Sequence, residues 1–161
     1  MSSPLSRLTM FLVCASAVLP LMAQDAVTSG IIESPTPLFN GKDLSNWKGR
    51  PDLWSIEDGA IVGRTNEDAP LDGNTFLVWT GATPANFELV VEFKIEGGNS
   101  GIQYRSRVID EDKYVVSGYQ ADIDHANKFA GILYEEKARG ILTLRGEKVE
   151  IQSDGKKKKE S

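Results

Sequence analysis

Residues 87–95 alternate. Phe87, Leu89, Val91, Phe93 and Ile95 are apolar, and Glu88, Glu92 and Lys94 lie between them, with Val90 the exception. Successive side chains on a strand point to opposite faces, so this pattern predicts a half-buried antiparallel strand whose odd-numbered positions form a core stripe. Shorter strand signals recur on both sides. Trp54-Ser55-Ile56 and Ile61-Val62 flank Glu57-Asp58-Gly59-Ala60, and Asp-Gly between such runs predicts a hairpin. Residues 75–80, 102–108, 119–124 and 132–134 read as further strands. Residues 141–144 and 149–151 flank Arg145-Gly146-Glu147-Lys148 and predict a second hairpin. No sustained helical period appears beyond the first residues. The expected class is all-β, and the turn spacing suggests a sandwich.

The start of the chain has a different pattern. Arg7 precedes an apolar run over residues 8–22, broken only by Thr9, Ser16 and Pro20, and Ala23 stands before Gln24-Asp25. This is the pattern of an export signal over residues 1–23, too short and wrongly flanked for a stable membrane span. The protein is therefore expected to be exported, periplasmic or extracellular, with no stable membrane insertion once the signal is cleaved. Residues 24–37, with Ser, Thr, Gly and two prolines between 27 and 37, read as a linker. The domain is expected over residues 38–152, with a polar basic tail over 153–161.

The only cysteine, Cys14, lies in the apolar run. A mature chain would have none, which excludes disulfides, thiolate catalysis and cysteine-type zinc sites from it. The 161 residues less the first 23 leave enough chain for one core. The formal charge of −5 argues against a nucleic-acid partner. The basic run at 156–159 reads as a solvated tail or strand-end turn.

Candidate chemistry concentrates in G-G-N-S-G-I-Q-Y-R-S, from Gly97, and G-Y-Q-A-D-I-D, from Gly118. As strands, the first puts Gln103, Arg105 and Arg107 on one face and the second puts Gln120, Asp122 and Asp124 on one face. On neighbouring strands, cations and carboxylates would meet. The pattern suits a hydroxyl-rich ligand such as a sugar. It equally suits a solvated outer face carrying salt bridges.

Six segments in order resemble a known family: L-F-N-G-K-D-L-S-N-W from Leu38, W-S-I-E-D-G-A-I-V-G from Trp54, F-E-L-V-V-E-F-K from Phe87, G-N-S-G-I-Q-Y-R-S from Gly98, G-Y-Q-A-D-I from Gly118 and G-I-L-Y-E-E from Gly131. The chain resembles the 3-keto-disaccharide hydrolases, also described as 3-keto-glucoside 1,2-lyases and 3-keto-2-hydroxyglucal hydratases. The resemblance implies a concanavalin A-like lectin/glucanase jelly roll, incomplete at its C-terminal side, because relatives continue for several more strands. Many relatives also carry Glu where Gln120 stands, which would move an acidic role to Asp122 or remove it.

The implied chemistry begins with a ketone at C3 of a sugar, which acidifies the C2 proton. A base removes it, the enolate expels the group at C1, and water adds back. For this chemistry Asp122, or Asp124, is the candidate base, either of which could instead bind a divalent metal; Arg105 is the candidate at the enolate charge, and His125, the only histidine, stands beside them. Asn99, Gln103, Gln120, Tyr134 and Glu135 are candidates for holding sugar hydroxyls, and Glu136 stands beside them. Asp124, next to His125, is the candidate ligand for a divalent metal. The cofactor is otherwise unknown, and no organic one is expected.

Each position has a plainer alternative. Asn99-Ser100-Gly101 suits a turn. Arg105 suits an ion pair with Asp122. Glu135-Glu136-Lys137 suits a charged turn. Trp47, Trp54 and Trp79 suit either sugar stacking or, for at least two of them, the core. The competing functions are a non-catalytic carbohydrate-binding sandwich module and an inactive fragment.

Overall fold

The computed structural model describes residues 10–13 and 35–160, and every helix or strand assigned among them is a β-strand. In chain order these are β1 (Met10–Val13), β2 (Trp47–Lys48), β3 (Trp54–Glu57), β4 (Ala60–Gly63), β5 (Val78–Trp79) and β6 (Glu92–Ile95). They continue with β7 (Asn99–Asp110), β8 (Val115–Asp124), β9 (Leu133–Glu136), β10 (Gly140–Thr143), β11 (Val149–Ile151) and β12 (Lys157–Lys159). One four-stranded sheet has the order β3-β4-β1-β6, a second has the order β10-β9-β8-β7, and β11-β12 and β2-β5 are two-stranded ribbons. All named pairings are antiparallel.

The sheets meet where Ile61 of β4 and Ile123 of β8 pack with Phe39. Leu44, Trp47, Trp54, Ile56, Leu77, Val91, Ile95 and Ile102 close around them. The protein is an all-β sandwich, and Trp47 and Trp54 belong to its packing. The β3–β4 hairpin forms as the sequence predicts. Asp58 and Gly59 both take positive φ, 49° and 76°, which is the twist a two-residue turn needs to join two strands.

Four local expectations are corrected. The strand expected over 87–95 forms only over Glu92–Ile95. Val91 and Ile95 pack toward the core, but Phe87, Leu89 and Phe93 remain 47%, 41% and 54% exposed. The cause is pairing: among the described residues β6 is bonded only to β1, and residues 87–91 form no ladder. Second, β10 does not turn back onto β11. It pairs with β9, and β11 pairs with β12. Lys137 and Gly140, at φ 55° and 69°, close the first turn, and Gly155, at φ 80°, lies in the second. Third, the lysines expected in a tail form strand β12. Fourth, Asn99-Ser100-Gly101 is strand, because Gly98 supplies the positive φ of the preceding turn.

Two β7 residues oppose one on β8 at a bulge between Tyr104 and Arg107. Arg105 has φ 47° there, and Gly118 of β8 has φ 155°. A Cβ on Gly118 would lie 2.5 Å from the Cα of Ser106, so the bulge requires glycine opposite it.

These packing differences separate two apolar positions that look alike in sequence. Ile61 is 1% exposed and Phe93 is 54% exposed. Ile61→Ala should cost roughly 2–5 kcal/mol in denaturant unfolding. Phe93→Ala should cost less than about 1 kcal/mol. Equal costs would show that the β6 face is covered as fully as β4.

Candidate functional site

Residues directly opposed in an antiparallel ladder share a face. β7 and β8 oppose Gly101 to Asp122 and Gln103 to Gln120, while β8 and β9 oppose Gln120 to Tyr134 and Gly118 to Glu136. Gln103, Gln120, Asp122, Tyr134 and Glu136 therefore line one face of the second sheet. Ile102 and Ile123, in the opposite phase, face the core. The same alternation builds both the packing and the polar surface.

The polar groups form a relay. Gln103 Nε2 donates to Gln120 Oε1 at 2.8 Å, and Gln120 Nε2 donates to Asp122 Oδ1 at 3.1 Å. Asn99 Nδ2 donates to the same Oδ1 at 3.2 Å. Gln120 is buried, and its side chain lies over Gly101, where a Cβ would come within 2.6 Å of its Cγ. The relay ends in two buried atoms without protein partners, Gln103 Oε1 and Asp122 Oδ2. Buried polar atoms are normally bonded, so these are the atoms to which a ligand or water has most to offer.

Glu136 is the second buried polar residue, 3% exposed. Asn74 Nδ2 donates to its Oε2 at 2.8 Å from a loop far away in sequence. Tyr134 bonds Glu136 through its hydroxyl. Burial first, then the nearby Glu136 and Asp122 carboxylates, push the Tyr134 phenol above its usual range, so it stays protonated at neutral pH.

Asn99, Gln103, Gln120, Asp122 and Tyr134 come together; Asp124, opposite Asn99, keeps the same phase but its carboxylate is engaged in a turn, while Glu135 and His125 lie elsewhere. Glu135 lies on the opposite face, ion-paired with Arg139, which holds its carboxyl below the ordinary range. Arg139 also donates to the Tyr119 hydroxyl at 3.0 Å. Glu136, not Glu135, shares the face of Tyr134, as strand alternation alone would indicate. Asn74 carried no signal in the sequence, since only the folded loop brings it to β9.

Arg105 sits on the strand beside Asp122 but within the bulge, and the expected ion pair between them is not formed. The bulge ends the alternation between Gln103 and Arg107, and Arg107 pairs opposite Ser117. His125 is exposed beyond the end of β8, and its backbone N–H donates to Gly98 O at 3.1 Å.

Asp124 is occupied in a turn. Its Oδ2 accepts from the backbone N–H groups of Lys128 at 2.6 Å and Phe129 at 3.0 Å. Among the described residues, no group of three or more His, Cys, Asp or Glu side chains is arranged to hold a metal ion.

The backbone bonds, that from Phe129 first, hold the Asp124 carboxyl below its ordinary range. Its contribution to stability is present above the unfolded carboxylate value near pH ~4 and is lost as pH falls through the lower folded value. Thermal unfolding followed from neutral to strongly acidic pH should show this loss. Asp124→Ala should lower the midpoint at neutral pH and flatten the acid limb. An acid limb of unchanged slope in the variant would assign the loss to other carboxylates.

No curated protein and no solved structure shows significant similarity to the chain. The 3-keto-alpha-glucoside-1,2-lyase-like domain family matches residues 34–160, a span that contains both four-stranded sheets apart from β1 and every residue of the polar face. The chain belongs to the 3-keto-alpha-glucoside-1,2-lyase-like domain family.

Proposed function

We propose that this domain cleaves 3-keto-glycosides by elimination followed by hydration, with Asp122 as the base. The observation that carries the reading is the buried Asp122 Oδ2, which has no partner while Oδ1 is held by two amide donors. One oxygen is fixed and the other is left to take a proton, as a positioned general base requires.

A C3 ketone lets the C2 proton pass to Asp122, leaving an enolate. The enolate electrons expel the C1 oxygen substituent, which leaves with a proton. Water then adds its hydroxyl to C1, and a proton returns to C2. Gln103 Oε1 and Asn99 suit the holding of sugar hydroxyls. The Tyr134 hydroxyl, protonated at neutral pH, is the group proposed to stabilise the enolate oxygen, with Arg105 at the neighbouring bulge as a second candidate.

Export belongs to the same proposal and rests on the composition of residues 1–23. Among the described residues, no helix is long and apolar enough to cross a membrane.

The full chain should turn over a 3-keto-glucoside and leave the parent glucoside intact. Asp122→Asn should lower kcat by about 10²–10⁴-fold with a smaller change in KM. Equal turnover of the two glycosides would refute elimination chemistry. Binding of either sugar without turnover would identify a carbohydrate-binding module instead.

A further inference from the structure

The first sheet is continuous only through β1. Met10, Phe11 and Leu12 pair with Gly63, Val62 and Ile61 of β4, and residues Met10 to Val13 pair on the other side with Ile95 to Glu92 of β6. Among the described residues β6 has no other strand neighbour, and β4 has only β3 besides. β4 is deeply buried: Ala60, Ile61 and Val62 are 2%, 1% and 0% exposed. The segment bridging them lies within the apolar run of the expected export signal.

An open edge on β4 would leave buried backbone donors and acceptors without partners. A gap bounded by two antiparallel edges has the geometry of strand addition, in which main-chain bonds to an extended segment supply the affinity. We infer that the space between β4 and β6 is a strand-accepting slot whose occupant is Met10–Val13. The signal segment is thus a structural strand of this sheet, held by a ladder on both sides, and it stays seated when the chain behind it is cut. Processing after Ala23 would then separate two pieces covalently without opening the sheet. This inference is independent of the catalytic reading.

The test uses the full chain with a protease site placed within residues 24–34. After folding and cutting, the N-terminal piece should co-elute with the domain in gel filtration. The same piece carrying Leu12→Pro, which removes a backbone donor and distorts the ladder, should separate. Release of both pieces, or retention of both, overturns the slot.

A second readout does not depend on the proline variant folding. Leu12 and Phe93 are register partners, and opposed antiparallel residues lie within disulfide reach. In a Cys14→Ser background, Leu12→Cys with Phe93→Cys should crosslink to near completion under mild oxidation. Leu12→Cys with Val108→Cys, on the second sheet, should not. Equal crosslinking in the two would overturn the register and the inference with it.

Discussion

The register between β7 and β8 is the constraint on which the polar face depends. Side chains alternate with a period of two, so a slip by one residue would turn Gln103, Gln120 and Asp122 toward the core and Ile102 and Ile123 away from it. The cost of that slip is shared by both faces. On one side it would bury a carboxylate and two amides against Phe39 and Ile61, and on the other it would expose isoleucines that close the sandwich. The bulge at Arg105 and the side-chain-free Gly118 opposite it fix the pairing at one point along the ladder. Gly101 fixes the surface chemistry further along, by leaving room for Gln120 to reach across.

The carboxylates fall into two groups. On the surface, Glu57 and Arg64, Glu135 and Arg139, and Asp52 and Arg50 form ion pairs, which contribute little because water screens them. Asp43 is held differently: hydrogen bonds from Ser45 and Asn40 first, with a smaller attraction from Lys42, hold its carboxyl down to about 2. The polar face excludes cations from its interior contacts. Asp122 is bonded by Asn99 and Gln120, and Glu136 by Asn74 and Tyr134. The donors to both carboxylates are neutral, so no guanidinium occupies the oxygens of either. They also offer amide and hydroxyl groups at the spacing of hydrogen bonds, which matches a neutral, hydroxyl-rich ligand better than a charged one.

Much of this was legible in the sequence, and the failures have local causes. The all-β class, the Asp58-Gly59 hairpin and the strands carrying Gln103 and Gln120 follow from alternation and turn chemistry. Alternation cannot reveal a bulge, and past it Arg107 falls out of phase with Gln103, opposite Ser117. Nor can it reveal a strand's partners. Residues 87–91 have a clean apolar stripe and no ladder, so Phe87 and Leu89 stay exposed. β10 and β11 are separated by a plausible turn, yet each found a better-placed neighbour. Asp124 and His125 are adjacent in sequence, but adjacency along a strand end put one into a turn and the other into solvent. The resemblance to a family carried the substrate class, which no spacing of residues could supply.

The two sheets divide the labour unequally. The second sheet holds the polar face on long, mutually paired strands, β7 and β8, with twelve and ten residues. The first supplies most of the fully buried apolar surface through β4, but its ladder is short and runs through β1. Ile61 and Ile123 transmit the dependence between them, since each packs on Phe39. A disturbance of the first sheet therefore reaches the site through the packing beneath β8 rather than through any polar contact. Ile123 is the next residue after Asp122, so a shift of its side chain toward a loosened core moves the backbone that aims the carboxylate. The depth of the core and the aim of the Asp122 carboxylate are fixed by the same stretch of β8.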